Sequence, residues 1–294
     1  SNKKMIVVRL MGGLGNQLFQ YAAGRQVAEF NQTELLLDTT FLTDTPPGDT
    51  VRDFELDKFN VVATIASSDT IKSFGGTGFS LKDCCSTFVF SFFDKKKYKF
   101  NDYGFDARLL RLRGNYYIRG FFQSDKYFNS IESLVRKDLT IRSEFISKDF
   151  VLAERIRNTN SVSIHIWRGD YIRNLSSSNA LAVCSKDYYV KSINYIKSRL
   201  GDDVHFYIFT DDEEWVRREM RWDINSTLIT GKTSVEDFYF MSMCKSNIIA
   251  NSTFSWWAAW LNDKPDKIVV MPKHWTVNHK TEDIDLKPPK WIIK

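Results

Sequence analysis

The sequence predicts an α/β protein with two Rossmann-like domains, and three observations lead to this prediction. The chain has 294 residues, which is more than usually fold around a single hydrophobic core. In the second half, short apolar runs alternate with longer helical patterns, as in a parallel sheet covered by helices on both faces. The first half begins with the same order of strand, loop and helix. We expect the boundary among the polar residues 144–160, which gives domains of residues 1–150 and 151–294.

The second half carries the clearer pattern. Thr233 and Glu236 are three residues apart and form a capping box, which marks the start of one helix. Strands and helices that alternate at this spacing predict a doubly wound domain. The predicted strands are residues 162–167, 204–209, 227–230, 248–250 and 268–271, and the predicted helices are residues 187–200, 213–221, 234–244 and 254–261.

The first half is predicted less completely. A strand at residues 5–10 leads into a glycine loop and then into a helix with one apolar face. A second strand follows at residues 34–37, and a strand, a turn and a helix return at residues 116–127. Residues 74–100 are rich in aromatic side chains without clear periodicity, so no element is predicted there. The apolar face of the first helix consists of Phe19, Ala22, Ala23, Val27 and Phe30.

The composition is 43% hydrophobic and 26% charged, which predicts a folded, soluble protein and excludes disorder, collagen-like repeats and a disulfide-stapled miniprotein. A net charge of +5 permits an anionic ligand and does not demand nucleic acid. No apolar stretch approaches the roughly 20 residues that cross a bilayer. Cys84, Cys85, Cys184 and Cys244 form no Cys-x-x-Cys pair, so we expect free thiols in the cytoplasm.

Polar clusters follow three of the strands predicted in the second domain. Ligands of open α/β sheets bind outside the carboxyl ends of the strands, where the strand order reverses. Because the three clusters share this edge, they predict one binding site rather than scattered surface loops. The candidates are His165, Arg168 and Asp170 after the first strand, Thr210, Asp211 and Asp212 after the second, and Asn251, Ser252, Thr253, Phe254 and Ser255 after the fourth.

Arg168 and His165 each have a functional and a structural interpretation. The planar guanidinium of Arg168 could hold a phosphate, or it could form a surface ion pair with Asp170. His165 alternates along its strand with Ser163 and Trp167, and a hydrogen-bonded structural histidine is the more common outcome. A metal-ligand role lacks partners at the usual spacing.

The other two clusters also lie where helices start. Asp211 and Asp212 could orient ribose or base hydroxyls, or could supply negative charge to the first turn of the next helix, which we expect of at least one of them. Backbone N–H groups and hydroxyls at Ser252, Thr253 and Ser255 could receive a phosphate. The alternative is that Ser252 or Thr253 is only a helix cap.

In the first domain, a glycine loop lies between the first strand and the first helix. It is similar to the dinucleotide fingerprint Gly-x-Gly-x-x-Gly, but Leu18 occupies the position of the third glycine. What remains is a loop whose backbone at Gly13 and Gly15 can approach an anion, with side-chain amides from Asn16 and Gln17.

Taken in order, these segments resemble the family of bacterial α-1,2-fucosyltransferases, inverting enzymes of glycosyltransferase family 11 that use GDP-fucose. The resemblance covers under a quarter of the chain, but its first and last stretches are highly specific. The matching stretches are residues 12–24 (GGLGNQLFQYAAG), 120–128 (GFFQSDKYF), 163–172, 206–212 and 236–262, which include NSTFSWWAAWL.

The resemblance implies a GT-B fold, in which two Rossmann-like domains face a cleft. The second domain would hold GDP-fucose, and the first would mainly bind a glycan that ends in galactose. The implied reaction transfers fucose to the 2-hydroxyl of that galactose, in surface polysaccharide or O-antigen synthesis. It implies a cytoplasmic enzyme without a cofactor, a required metal or a nucleic acid partner. Peripheral contact with the inner membrane through a lipid-linked acceptor is compatible with this prediction.

The resemblance also assigns roles to residues. His165 and Arg168 match the motif His-x-Arg-Arg-Gly-Asp-Tyr, which holds the diphosphate of GDP, but Trp167 stands where the family has the first arginine. An indole has one neutral donor and cannot replace a guanidinium. We predict that Arg168, the glycine loop and the helix start at residues 252–255 stabilise the leaving diphosphate. Asp170 is the predicted base on the acceptor hydroxyl, with His165 behind it.

Two other classes of function remain as alternatives. An NAD-dependent oxidoreductase would use Asp38, 23 residues after Gly15, for ribose, but Leu18 breaks its fingerprint. A transferase-derived protein that binds a sugar or nucleotide without turnover is favoured by Trp167. Asp283 and Asp285 have the spacing of a metal-binding Asp-x-Asp motif, but they lie in a polar tail, so we expect no metal there.

Overall fold

The structure is a computed structural model and describes residues 4–45, 47, 50–76, 95–168 and 183–294. The chain divides into two compact units. The first comprises Ser1–Thr140 and the short tail segment Ile284–Leu286, and the second comprises Ile141–Asp283 and Lys287–Lys294. Each unit contains a parallel sheet with helices, which confirms the predicted α/β class.

Within its described residues, the first unit forms a five-stranded parallel sheet in the order β3-β2-β1-β5-β4. The first strand and helix lie where the hydrophobic pattern predicts them. The elements are β1 (Met5–Arg9), α1 (Leu14–Phe30), β2 (Glu34–Asp38), α2 (Thr40–Thr43), β3 (Thr64–Ile65), α3 (Ser68–Ser73), β4 (Lys95–Lys99), β5 (Asn115–Arg119) and α4 (Glu132–Asp138).

Helix α1 lies close against the sheet at Gly24. A Cβ atom at Gly24 would lie 2.9 Å from Leu35 Cδ1 and 3.2 Å from Val8 Cγ1, so a larger residue would push the helix away. The apolar face of α1 is buried except at its end, where Phe30 is 60% exposed. Phe30 is the last residue of the helix, and the guanidinium carbon of Arg113 lies 4.1 Å from the centroid of its ring.

Residues 116–127 and strand β4 of the first unit differ from the predictions. Residues 116–127 contain β5 followed by a single 3₁₀ turn, Asp125–Tyr127, rather than a regular helix. Strand β4 was not predicted, because its sequence KKKYK alternates no apolar residues. It pairs in parallel with β5 over five residues, so backbone pairing to a neighbour compensates for poor hydrophobic patterning.

The described part of the second unit forms a six-stranded parallel sheet in the order β13-β10-β9-β6-β7-β8. The predicted elements are present, with ends shifted by at most two residues. The elements are α5 (Phe150–Asn158), β6 (Ser161–Ile166), α6 (Lys186–Leu200), β7 (His205–Thr210), α7 (Glu213–Glu219), β8 (Ser226–Leu228), α8 (Ser234–Met243), β9 (Ser246–Ile248), α9 (Thr253–Leu261), β10 (Val269–Met271), β11 (His274–Thr276), β12 (His279–Lys280) and β13 (Ile292–Ile293).

Strand order reverses beside β6. From β6 the chain moves outward through β7 and β8, then returns to the other side of β6 with β9. The neighbours β6 and β9 therefore flank the switch point, outside which open α/β sheets bind ligands. The capping box predicted at Thr233 and Glu236 is present and starts α8.

Candidate functional site

The candidate site of the second unit lies at the carboxyl ends of β6, β7 and β9. In the register of the sheet, Ile164 pairs with Ile248 of β9, and Ile166 pairs with Thr210 of β7. The polar clusters predicted from the sequence follow these three strand ends directly. The sheet thus brings the described members of all three clusters to one edge.

Arg168 is fixed at this edge by three neighbours. Its backbone N–H donates a hydrogen bond to Asp211 Oδ1 at 2.8 Å. Its Nε lies 3.5 Å from Asp212 Oδ2, and its guanidinium carbon lies 3.9 Å above the ring centroid of Trp215. Nε makes no hydrogen bond within the described residues, although it is buried. The guanidinium is therefore held in place with donor capacity that an anion could use.

Trp215 was not identified from the sequence. It lies in the first turn of α7, whose N-cap is Asp212. Asp212 Oδ1 accepts a hydrogen bond from Trp215 N at 3.0 Å, while Oδ2 faces Arg168. The carboxylate of Asp212 thus caps α7 and also contacts Arg168. The first turn of α7 places the Trp215 indole against the guanidinium of Arg168. An aromatic residue three positions after a capping aspartate was the available signal.

His165 is buried at the end of β6, with 7% of its surface exposed. Burial lowers the pKa of its imidazole to about 4, so the ring is neutral at pH 7. Nδ1 has no hydrogen-bond partner within the described residues, and the ring lies 5.8 Å from that of Phe254. A neutral imidazole can donate or accept one hydrogen bond, but it is a weak base at such a pKa. Asp170, the predicted base, lies outside the described residues.

Helix α9 begins beside His165. Ser252 occupies its N-cap position, yet its side chain makes no capping hydrogen bond. Ser255 is buried and donates to Ser252 O at 3.4 Å, and Thr253 is half-buried. The Ser252 hydroxyl and the first backbone N–H groups of the helix form a donor set suited to an anion.

Asn251 is held inside the protein. It is 1% exposed, its Nδ2 donates to Trp275 O at 3.1 Å, and its Oδ1 accepts from Cys184 Sγ at 3.4 Å. These contacts tie the end of β9 to β11. The structure therefore gives Asn251 a role in positioning the chain before the helix start.

A carboxyl with a displaced pKa, that of Asp237, lies in the first turn of α8. Burial, together with the charges of Glu236 and Glu213, raises the pKa of Asp237 to about 7. The following residue, Phe238, packs edge-on against Phe254 at 5.3 Å. Displaced pKa values cluster at functional sites, so Asp237 is a candidate that sequence reasoning missed. The signal was its place in the family-like stretch 236–262.

The glycine loop of the first unit has its own geometry. Gly12 has a φ of +80°, and a Cβ there would lie 2.5 Å from Asn16 Nδ2, so glycine is required. Gln17 is fully buried: its Nε2 donates hydrogen bonds to Gly12 O at 2.9 Å and Asp53 O at 2.8 Å, and its Oε1 accepts one from Glu55 N at 3.0 Å. Gln17 thus holds the loop in shape.

Gly13 is the residue of this loop with space around it. It is the N-cap of α1, and no atom lies within 4 Å of the position its Cβ would take. Asn16 Oδ1 accepts a hydrogen bond from Gln123 Nε2 at 3.0 Å, which links the loop to the family-like stretch 120–128. Gly15 is buried within the first turn of α1.

Comparison with known proteins identifies the family. Residues 70–294 match the family model described as Glycosyl transferase family 11. The chain belongs to glycosyl transferase family 11. It is 32% identical to the O-antigen biosynthesis glycosyltransferase WbnK of Escherichia coli, with 96% of this chain and 98% of WbnK covered. It is also 32% identical to an Escherichia coli alpha-1,2-colitosyltransferase, with 98% of each chain covered.

More distant similarities are found to one further relative and to one solved structure. The chain is 27% identical to a Galactoside 2-alpha-L-fucosyltransferase of Caenorhabditis elegans, with 98% of this chain and 78% of the relative covered. Among solved structures, POFUT1 in complex with GDP-fucose shares the fold at a TM-score of 0.53 and 13% identity, with 91% of this chain and 98% of POFUT1 covered. The predicted GT-B fold is confirmed by these likenesses.

Trp167 is where this member of family 11 departs from the expected two-arginine motif. Its indole is half-buried and packs against the apolar core beneath β6 and β7. The position that the family motif gives to a cation is therefore used here for packing. Arg168 is the arginine that the described residues place at this strand end.

The described part of the chain contains no cluster of side chains suited to binding a metal, and the cysteines in it are free thiols. No group of three or more His, Cys, Asp or Glu side chains in those ranges could hold a metal ion. Asp285 pairs with Lys126 and accepts from Phe105 N, while Asp283 is exposed. Cys184 and Cys244 are buried free thiols, and Cys84 and Cys85 lie outside the described residues. No described helix is long and apolar enough to span a membrane.

Proposed function

We propose that the protein is an inverting α-1,2-fucosyltransferase that moves fucose from GDP-fucose to the 2-hydroxyl of a terminal galactose in a bacterial surface glycan. Whole-length similarity to an O-antigen glycosyltransferase supports this proposal, as does the fucosyltransferase from Caenorhabditis elegans. The observation that carries it is the placement of Arg168. Its guanidinium is held at 3.9 Å on Trp215 at the switch point of a Rossmann-like sheet, where a diphosphate would bind.

The proposed reaction is one displacement at the anomeric carbon. The 2-hydroxyl oxygen of the acceptor forms a bond to that carbon while the bond to the β-phosphate oxygen breaks, and GDP leaves with the bonding electrons. Negative charge develops on the diphosphate, where Arg168 and the N–H groups at residues 252–255 would stabilise it. The neutral imidazole of His165 would donate one hydrogen bond to the same group.

The acceptor proton must pass to a base. We propose Asp170 for this role, on the family motif alone, with His165 as the second choice. The low pKa of His165, about 4, makes it the weaker base at neutral pH. The positive groups named above make a metal unnecessary in this proposal. We expect EDTA to leave the rate unchanged, and a rate restored only by added Mg²⁺ would contradict this part of the proposal.

We further propose that the second unit binds the donor and the first the acceptor, with Gly13, Gly15, Asn16 and Gln17 forming the loop that meets the reacting groups. The open space at Gly13 and the shape imposed by Gln17 support this role for the loop. We place the enzyme in the cytoplasm, with its glycan acceptor on a lipid carrier at the inner membrane.

The direct test is GDP release. Purified protein with GDP-fucose and a terminal β-galactoside should release GDP and yield an α-1,2-fucosylated product, identified by mass spectrometry and NMR. GDP binding without release, across a panel of galactosides, would instead favour the non-catalytic binding protein. NADH binding would favour the oxidoreductase, which the burial of Leu18 in α1 argues against.

A second donor is favoured by one relative. The alpha-1,2-colitosyltransferase matches this chain as closely as WbnK does, at 32% identity. Colitose is fucose without its 3-hydroxyl, so the two donors share the GDP group and the anomeric carbon. GDP-fucose and GDP-colitose should therefore be compared at equal concentration with one acceptor. A higher kcat/KM for GDP-colitose would replace fucose in the proposal and leave the roles of the residues unchanged.

A further inference from the structure

The sheet of the first unit has a switch point of its own. From β1 the chain moves through β2 to β3 on one side, while β5 and β4 lie on the other side. The neighbours β1 and β5 therefore flank the position where strand order reverses. Ligands of open α/β sheets bind outside the carboxyl ends of such strands. The residues that end these strands are thus candidates for binding.

These strand ends carry a row of cations. Arg9 ends β1, Arg119 ends β5 and Lys99 ends β4. Lys99 pairs with Arg119 in the register of β4 and β5. Val8 pairs with Ile118, which brings Arg9 next to Arg119 at the following position. Side chains in register share one face, so we define Arg9, Arg119 and Lys99 as the basic row.

The basic row is linked to a buried polar cluster. Asp38 ends β2 opposite Arg9, is fully buried, and accepts hydrogen bonds from Tyr117 and Thr40. Burial and Asp38 raise the pKa of Tyr117, while the charges of Arg9 and Arg119 oppose that rise. Both arginines therefore act on one hydroxyl at the sheet edge. Asp38 is the acid among these four strand-end residues.

Arg9 is half-buried and held in place. Burial lowers the pKa of Arg9, and the charge of Arg119 lowers it further, while Tyr117 and Asp38 raise it. The guanidinium carbon of Arg9 lies 5.0 Å from the ring centroid of Phe41 in α2. Arg119 and Lys99 are half-buried as well. A cation that is partly removed from water and placed beside another cation favours a bound anion.

Protection of a sheet edge does not explain this row. Lysines on edge strands prevent aggregation, and Lys96 of β4 fits that role, because it is exposed and lies on the opposite face of the strand. Arg9 and Arg119, however, lie on the interior strands β1 and β5. Edge protection therefore does not account for the two arginines, which end the strands at the switch point, where open α/β sheets bind ligands.

We propose that Arg9, Arg119 and Lys99 bind a phosphate or carboxylate group carried by the acceptor glycan. The fork of an arginine matches either group with two parallel hydrogen bonds, and a neighbouring lysine adds a point charge. The inference rests on the proposed function in one respect, namely that the first unit is the acceptor side. The acceptor is thus an anionic galactoside, bearing a diphosphate at its reducing end or an acidic sugar near the galactose.

Acceptor kinetics test the proposal. Three galactosides are compared with GDP-fucose: a neutral one, one with a reducing-end diphosphate, and one linked to a uronic acid. We expect a KM about ten- to a hundredfold lower for one of the anionic acceptors, as for a charge-assisted hydrogen bond. Arg119→Gln and Lys99→Gln should abolish that preference and leave the kinetics of the neutral acceptor within about twofold. The preferred acceptor tells phosphate from carboxylate.

Lys96→Gln is the matched control, because it removes the same charge from the opposite face of β4. It should keep the preference for the anionic acceptor. Equal KM values for all three acceptors in the wild-type protein would overturn the proposal. Loss of the preference in Lys96→Gln to the same extent would also overturn it, since the row would then act only through overall charge.

A binding experiment separates this inference from the proposed function. Inorganic pyrophosphate is added to Arg168→Ala protein, in which the donor site is weakened, and the thermal midpoint is measured. We expect a rise in the midpoint that disappears when Arg119→Gln is added and persists when Lys96→Gln is added. If fucose transfer fails and this pattern appears, the basic row stands without the transferase proposal. If transfer succeeds and neither this pattern nor an anionic preference appears, the basic row alone is refuted.

Discussion

The carboxyl edges of the two sheets carry different residues although both lie beside a reversal of strand order. In the second unit, the described residues at the switch point include Arg168, which stacks on Trp215 and contacts Asp211 and Asp212. In the first unit, it carries the basic row beside the carboxylate of Asp38. The sheets are alike in strand direction and in the reversal of strand order. The kind of ligand that each edge can bind therefore depends on the few residues that end its strands.

This comparison makes Arg168 the most sensitive position in the second unit. Arg168→Ala should lower kcat/KM for GDP-fucose by about 10²–10³, because it removes the positioned cation opposite the leaving group. Circular dichroism and the thermal midpoint should stay near the wild-type values, since the side chain is partly exposed. Arg217→Ala, on the exposed face of α7, is the control. Near-wild-type GDP release by a folded Arg168→Ala protein would remove Arg168 from the mechanism.

Asp237 should make the stability of the second unit sensitive to pH. Its pKa is about 7 when folded, against an ordinary value of 3.8, so the folded state favours the protonated form. That contribution to the free energy of unfolding is complete below about pH 4 and is lost as the pH rises through 7. Asp237→Asn keeps the neutral form, so it should exceed the wild type by roughly 2–4 kcal/mol above pH 7 and match it near pH 4.

Urea denaturation at a series of pH values measures this difference. The control is Asp266→Asn, which removes an exposed carboxyl in the same unit. A wild-type curve that runs parallel to that of Asp237→Asn across this pH range would show that Asp237 ionises freely in the folded protein.

Variants of Trp215 test whether the guanidinium of Arg168 must be held in position for catalysis. Trp215→Leu should lower kcat about tenfold, because loss of a cation–π contact worth roughly 1–2 kcal/mol frees the guanidinium. Trp215→Phe should recover part of that loss, since a smaller ring still carries the cation. The control is Trp222→Leu, which removes a different indole from the same unit. In the wild-type protein, the ring centroid of Trp222 lies 6.0 Å from that of Tyr189. Equal losses in the Leu and Phe variants would give Trp215 a role in packing only.

The smallest expected effect comes from restoring the family residue at position 167. Trp167→Arg should tighten GDP binding by about three- to tenfold, because a second guanidinium joins Arg168 at the strand end. Calorimetry with GDP measures the affinity. Thermal denaturation reports the stability lost when the indole leaves the core. Unchanged or weaker GDP affinity in a folded variant would show that Arg168 suffices in this protein.

Much of the fold could be predicted because hydrophobic periodicity is local. The strands of the second unit and the capping box at Thr233 follow from residues close in the chain. Strands β4 and β13 could not be predicted, because each is stabilised by pairing with a strand that lies elsewhere in the sequence. The 3₁₀ turn at Asp125–Tyr127 was likewise decided by its surroundings, with Tyr127 buried against Phe105 and Phe122.

The residues of the candidate site also fall into two groups, those that sequence motifs predict and those that only the structure reveals. The motifs place Arg168, Asp211, Asp212 and the start of α9 at one sheet edge, as the structure does. The motifs did not identify Asp237, whose pKa depends on burial, or the engagement of Asn251 by Trp275 and Cys184. Desolvation and side-chain hydrogen bonds arise from residues distant in sequence, so a linear motif does not carry them.

The sequence by itself determined the family, the α/β class and the strand ends at which chemistry is placed. Glycine loops, alternating apolar runs and short polar motifs are written in consecutive residues. Only the tertiary structure decided that Arg168 rests on Trp215, and that Arg9, Arg119 and Lys99 stand side by side. The physical reason is that a parallel sheet joins strands from distant parts of the chain, so charge and packing at its edge depend on strand order.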